Sequence, residues 1–212
     1  MRKPPSKVVA FDLDDTLIPE VLFLKSGIRH IASFLNKLYP ELPSQRIIGC
    51  MDAALVTRSN HYSALESLIK EYRLSDSVDM KKIVTKFRSH MPDPSIYHAA
   101  PFISGILNDL KQKDIPLALI TDGRSLTQRN KIQAAGLYSF FDNSDILISE
   151  ETGHDKFDPD NFLFIMKKYA GAKEFHYVGD NPRKDFLHPS RLGWKTHLAH
   201  PFPLAIHQGM PR

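Results

Sequence analysis

Cysteine is almost missing from this chain of 212 residues; Cys50 is the single one. One thiol excludes an internal disulfide and any multi-cysteine metal site. Within "RIIGCMDAALV" it reads as a small apolar helix residue rather than a catalytic thiol. Long apolar runs are missing too. No uninterrupted stretch approaches the roughly 18 residues of a membrane span. The basic N-terminus, "MRKPPSK", leads into a short apolar run that stops at Asp12, so no signal peptide is expected. The expected compartment is the cytoplasm, with no membrane partner. There is no internal repeat and no low-complexity segment. The basic residues, which leave a formal net charge of +4, are dispersed and form no interaction tail. No nucleic-acid partner is expected, and small anionic substrates suit the charge equally well.

The hydrophobic fraction of 42% and charged fraction of 25% are those of an ordinary globular protein. The length allows one domain with a substantial core, or one domain carrying a smaller insert. "KVVAF" (7–11) is short, apolar and rich in strand formers, and predicts a buried strand. Residues 20–98 then carry helical spacing. The segments "VLFLKSGIRHIASFLNKLY", "SQRIIGCMDAALVTRS", "HYSALESLIKEYRL" and "DMKKIVTKFRSHM" are punctuated by Pro40, Pro43 and Pro92. After Pro101 the pattern alternates. Helices in "FISGILNDLKQK", "SLTQRNKIQAAGL", "PDNFLFIMKKYA" and "PRKDFLHPSRLG" precede strands in "IPLALIT", "DILIS", "EFHYVGD" and "WKTHLA". Such alternation predicts an α/β core with a parallel sheet and right-handed crossovers. The core spans 1–19 and 99–212, and a helical insert occupies 20–98. The tail "HPFPLAIHQGMPR", with three prolines, predicts irregular structure.

Ligands of such sheets bind at the carboxyl ends of the strands, so the polar residues there matter most. Asp12 and Asp14 follow the first strand. On an extended chain they would share a side, roughly 6–7 Å apart. Paired carboxylates repel unless a cation or a proton intervenes, and oxygen-only ligands suit Mg²⁺. The competing reading is a plain turn or helix cap. A calcium loop is excluded, because Leu17 and Phe23 stand where Gly and Glu are required. Thr121, followed by Asp122 and Gly123, ends the second strand; it reads as a phosphate site at a helix start or as a cap. Lys156 would neutralise carboxylate and phosphate charge, or is a solvated lysine. Asp180 offers a third carboxylate for the same cation. Asp185 would orient a water or pair with Lys156, and the competing reading of both is a turn before a helix. What carries weight is their order, each at a strand end of the same inferred edge.

The set "DLDDT" (12–16), "LITDG" (119–123), "KFDPD" (156–160) and "GDNPRKD" (179–185) resembles the haloacid dehalogenase-like (HAD) hydrolase superfamily. The insert resembles the helical C1 cap of subfamily I. "TDGRSLTQRNKIQAAGL" is similar to phosphatases and nucleotidases there. The resemblance implies a three-layer Rossmann-like core with a helical cap inserted after the first strand. It implies Asp12 as nucleophile forming an aspartyl-phosphate, and Asp14 as acid and then base. Mg²⁺ would be held by the Asp12 carboxylate, the Asp14 carbonyl and Asp180. Thr121, Asp122, Gly123 and Lys156 would bind phosphate, with Asp185 in support. The implied activity is a phosphatase of small phosphorylated metabolites, a sugar phosphate or a nucleoside monophosphate. A phosphotransferase or phosphomutase, or a non-catalytic module retaining the fold, are the alternatives. Phe157, where relatives often have proline, is a departure that bears on loop shape. Thr16 is expected to shape the turn, and Asp15 to serve local contacts. The ten histidines are scattered, "HLAH" (197–200) being the closest pair, and His154 reads as a loop residue near Lys156.

Overall fold

A computed structural model describes residues 4–57, 59–95 and 97–199. The tail from residue 200 on, expected to be irregular, lies outside them. The chain divides into two compact units, Met1–Val21 with Tyr97–Arg212, and Leu22–Ile96.

Among the described residues, the first unit is built on five parallel strands: β1 (Lys7–Phe11), β2 (Leu117–Thr121), β3 (Ile146–Ile148), β4 (Glu174–Gly179) and β5 (Lys195–Leu198). Their order is β3-β2-β1-β4-β5. β1 pairs in parallel with β2 and with β4. Its central place explains why "KVVAF" does not alternate: both faces of the strand are covered. Helices α5 (Pro101–Gln112), α6 (Ser125–Ala134), α7 (Ser149–Thr152), α8 (Asp160–Lys168), α9 (Pro182–Asp185) and α10 (Leu187–Arg191) carry the crossovers. On one face Val8, Ala10, Ala118, Ile120 and Tyr177 pack with Phe162 and Ile165 of α8 and with Trp194. On the other, Val9, Phe11 and Val178 share a groove with Ile103 and Leu107 of α5. The fold is an α/β Rossmann-like layered core, as the alternation of elements predicts. The strand order reverses direction between β1 and β4, and this is the switch point where such sheets bind ligands.

The second unit contains most of α1 (Glu20–Leu38), with α2 (Ser44–Val56), α3 (His61–Glu71) and α4 (Met80–Ser89). Ile28, Ile31 and Leu35 of α1, Ile47 and Met51 of α2, Leu65 of α3 and Phe87 of α4 are buried, giving this unit a core of its own. Gly27, mid-helix in α1, makes room for the Phe87 ring; a Cβ there would come within 2.6 Å of the ring.

Several ends differ from the sequence expectation. The helix expected over 182–193 breaks into α9 and α10, because Pro189 cannot donate to Asp185 and crowds that residue's carbonyl. α6 stops at Ala134, where Gly136 takes a left-handed φ of 69°. α3 stops at Glu71, before Arg73 at φ 57°. The single turn of α7 has no counterpart in the sequence pattern, since four residues carry no periodicity.

Candidate active site

β1 ends at Phe11, and the chain then folds tightly. The N–H groups of Thr16, Leu17 and Ile18 all donate to the Leu13 carbonyl. Asp12 and Asp14 therefore stand in a tight turn rather than on the extended strand the spacing predicts, and their carboxylates meet different partners. Asp12 keeps the sheet direction through its own N–H, which donates to the Val178 carbonyl at 2.9 Å. Its buried carboxylate meets Lys156 Nζ, and Thr16 Oγ1 donates to it at 3.3 Å. Asp14 turns elsewhere: both of its oxygens lie 2.7 Å from Lys131 Nζ. Asp15 is fully buried at φ 54°, and its carboxylate accepts the Glu20 N–H at 2.9 Å at the start of α1.

Lys156 enters from the loop before α8 and is 3% exposed. Its ammonium bridges Asp12 and Asp185 Oδ1, the latter at 2.7 Å. Asp185 is held in turn by the Asn181 N–H on its Oδ2 at 2.9 Å. A Cβ at Gly179 would press on that carboxyl, 2.6 Å from its Cγ, so only glycine lets β4 end this close to it. Burial pushes the Asp12 carboxyl up to about 8; Lys156 opposes the shift and Asp185 adds to it. Burial also works against the charge of Lys156, yet Asp12 and Asp185 hold the ammonium well above the usual lysine range.

Asp12, Asp180 and Asp185 each offer a carboxylate oxygen, and these atoms lie within 4.8 Å of one another. A cluster of three carboxylates, two of them buried, with Lys156 on only part of it, is a hard-oxygen donor set that fits a divalent cation. Asp185 belongs to that cluster by geometry, whereas the sequence pattern suggests only a supporting place for it. The Asp14 carboxylate does not belong to it.

Thr121, at the end of β2, is 1% exposed, and its Oγ1 accepts from Gln128 Nε2 at 2.7 Å. Asp122 directs its carboxylate to the Lys156 N–H at 3.1 Å and to Lys184 Nζ at 2.6 Å. The Gly123 N–H donates to Ser149 Oγ at 2.9 Å, and the residue adopts φ 148°. Any anion contact from Asp122 would thus come through its backbone rather than its carboxylate. His154 Nδ1 faces Asp158 at 2.7 Å. His197 pairs with His176 across β4 and β5 at 2.9 Å. Gln128 and Lys131, which touch the residues at the strand ends, do not stand out in the sequence. The available signal was a polar, weakly patterned helix directly behind "LITDG".

The family model described as "Haloacid dehalogenase-like hydrolase" matches residues 9–199. The chain belongs to that family. A glyceraldehyde 3-phosphate phosphatase of Methanocaldococcus jannaschii is 27% identical over 193 residues, covering 90% of this chain and 83% of the relative. A phosphoserine phosphatase of Thermus thermophilus is 38% identical over 90 residues, 42% of this chain and 35% of its own. Among solved structures, the HAD-hydrolase YfnB from Bacillus subtilis, bound to magnesium, aligns with a TM-score of 0.66 at 20% identity. That match covers 94% of this chain and 89% of the other, and it bears on fold alone. With relatives that are phosphatases, this HAD protein is a hydrolase of the phosphatase kind. Among the described residues, no helix is long and apolar enough to cross a membrane.

Proposed function

We propose that this HAD hydrolase is a Mg²⁺-dependent phosphatase of small phosphomonoesters that works through a phospho-aspartate on Asp12. The observation that carries the reading is the buried Asp12–Lys156–Asp185 chain at the switch point, with Asp180 beside it. Asp12 lies at the end of the central strand, where its carboxylate would attack phosphorus. Asp14 gives a proton to the departing oxygen, then takes one from the water that hydrolyses the acyl phosphate. Lys156 holds Asp12 in place and offsets charge on the transferring group. The Thr121 hydroxyl and the amides that follow it accommodate the phosphoryl oxygens.

Mg²⁺ would be held by the carboxylates of Asp12 and Asp180 and the Asp14 carbonyl, with Asp185 beside them. When bound, it offsets the charge of carboxylate and phosphate so that one anion can approach another. The helical insert serves as the cap and sets selectivity. The substrate is a small phosphorylated metabolite of the cytoplasm, a sugar phosphate or a nucleoside monophosphate. Glyceraldehyde 3-phosphate belongs in the first panel because the relatives act on it by name.

The test is phosphate release from such a panel with Mg²⁺, repeated with Asp12→Asn. The variant is expected to fall to background. Equal release by wild type and variant would remove Asp12 as nucleophile, and no release by either would favour a module without catalysis.

A further inference from the structure

Lys156 is the buried cation of the site, yet it stands in a turn and not on a strand. The turn closes where the Asp158 N–H donates to the Asp155 carbonyl at 3.0 Å. A long flexible stem separates the main chain of Lys156 from its ammonium, so a shift of the turn carries the charge with it. The Asp122 carboxylate reaches that main chain. Its Oδ1 accepts the Lys156 N–H at 3.1 Å, with Oδ2 3.4 Å away. Lys184 Nζ approaches the same carboxylate at 2.6 Å. Asp122 directly follows β2, Lys156 precedes α8 and Lys184 belongs to α9 behind β4. One carboxylate therefore ties together segments that the sheet leaves separate.

Lys184 and Asp185 are consecutive. Asp185 Oδ1 meets the Lys156 ammonium at 2.7 Å, and Lys184 meets the carboxylate that holds the Lys156 N–H. The single turn of α9 thus serves both ends of one lysine. Both groups on the Asp122 carboxylate are N–H donors, which suits its ionised form, and a charged acceptor makes the stronger hydrogen bond. Without a second donor the carboxylate would turn about its own side-chain bonds; Lys184 opposes that. We propose that Asp122 and Lys184 are positioning residues that fix the main chain of Lys156, so that its ammonium lies between Asp12 and Asp185. The inference rests on the role of Lys156 given above. Asp122 and Lys184 keep their charges throughout and act only through Lys156. Small displacements of a charge that must meet the reacting groups are costly.

One readout needs no turnover. An ammonium buried in ion pairs is slow to acylate, because acylation requires a free amine open to the reagent. The full chain is treated with limiting acetic anhydride, and each lysine is followed by peptide mass spectrometry. Lys131, buried against Asp14 on α6, is the internal standard. In Asp122→Ala, Lys156 is expected to react at least about 10-fold faster than in wild type while Lys131 is unchanged, because only the turn opens. Asp122→Asn keeps an oxygen for the Lys156 N–H but drops the charge facing Lys184, and is expected to fall between the two. Lys184→Arg should stay near wild type.

The other readout is kcat and KM of the full chain with Mg²⁺ on p-nitrophenyl phosphate. Asp122→Ala is expected to lose about 10²-fold in kcat/KM, mainly in kcat. Asp122→Asn should recover about 5-fold or more of that loss, and Lys184→Met should lose about 10-fold.

Labelling of Lys156 at the wild-type rate in Asp122→Ala would overturn the inference and leave the phosphatase reading intact. So would equal acceleration at Lys131 and Lys156, which is loosening of the whole unit, or faster labelling of Lys156 with unaltered kcat/KM. No release of phosphate by wild type would sink the phosphatase reading, while the labelling still decides the placement of Lys156. Should Asp122→Ala not fold, Lys184→Met carries the same comparison: faster labelling of Lys156 with Lys131 unchanged supports the pair, and labelling at the wild-type rate overturns it.

Discussion

An aspartate taken out of water beside a second carboxylate keeps its proton longer than one on a free chain. Asp12 is in that position: burial and Asp185 carry its carboxyl from 3.8 to about 8 although Lys156 pulls the other way. Between those pH values the folded, metal-free protein binds a proton that the unfolded chain has released. Stability contributed by this group is present below pH 4 and is lost as pH rises through 8. The metal-free melting temperature is therefore expected to fall between pH 5 and pH 8 by at least about 2 °C, the size of a change of roughly 1 kcal/mol in a chain this long. MgCl₂ should raise it more at pH 8 than at pH 5, because a cation favours the ionised carboxylates. Asp12→Asn should flatten the slope. A melting temperature that climbs over this window would contradict the assignment. At this scale the sequence singled out the charged side chains at the strand ends but not the residues that touch them. Asp12 and Asp180 could be singled out because each directly follows a strand, and Lys156 and Asp185 because each stands in the polar segment behind one. Gln128 and Lys131 could not, because a polar residue inside a helix looks solvated until the sheet beneath it is known.

The strand ends are more demanding than the strands. β4 closes on Gly179, and a methyl group there would press on the Asp185 carboxyl, 2.8 Å from its Cβ. Gly179→Ala should displace Asp185 from Lys156 and from the Asn181 N–H. The expected result is a loss of about 10-fold or more in kcat/KM and a weaker response to Mg²⁺, as for residues that orient ligands. Circular dichroism should stay that of a folded α/β protein, because overpacking of this size typically costs about 1–3 kcal/mol. A variant with unaltered kinetics would show that the carboxylate has room to move. The elements themselves were legible: apolar runs marked β1, β2 and β3, alternation with helices placed the more polar β4 and β5, and Pro189 and Gly136 carry the physical reasons for breaks that periodicity alone runs through. α7 was not, since a single turn with Gly153 closing it at φ 78° has too few residues for a period.

Two cores in one chain have a thermodynamic signature. Leu35 is fully buried in the helical unit, and Phe162 is fully buried against the sheet. Leu35→Ala should cost about 2–5 kcal/mol. It should speed amide exchange in α2 and α3 while β1, β2 and β4 keep their protection, because units with separate cores open separately. Uniform loss of protection would mean that the chain opens as one body. The insert was expected from a change of period, from continuous helical spacing to alternation after Pro101, but the packing within its helices, such as Phe87 against Gly27, could not be read. The strand order adds something about how the chain is made. β1 is synthesised first, yet its neighbours are β2, beginning at Leu117, and β4, beginning at Glu174. "KVVAF" must wait unpaired on the nascent chain while the helices, whose contacts are local, are free to close early. A bare apolar strand is an aggregation hazard, and charges beside such strands act as gatekeepers. Lys7 and the aspartates at 12, 14 and 15 flank it, charges placed to keep the first strand soluble until its partners arrive.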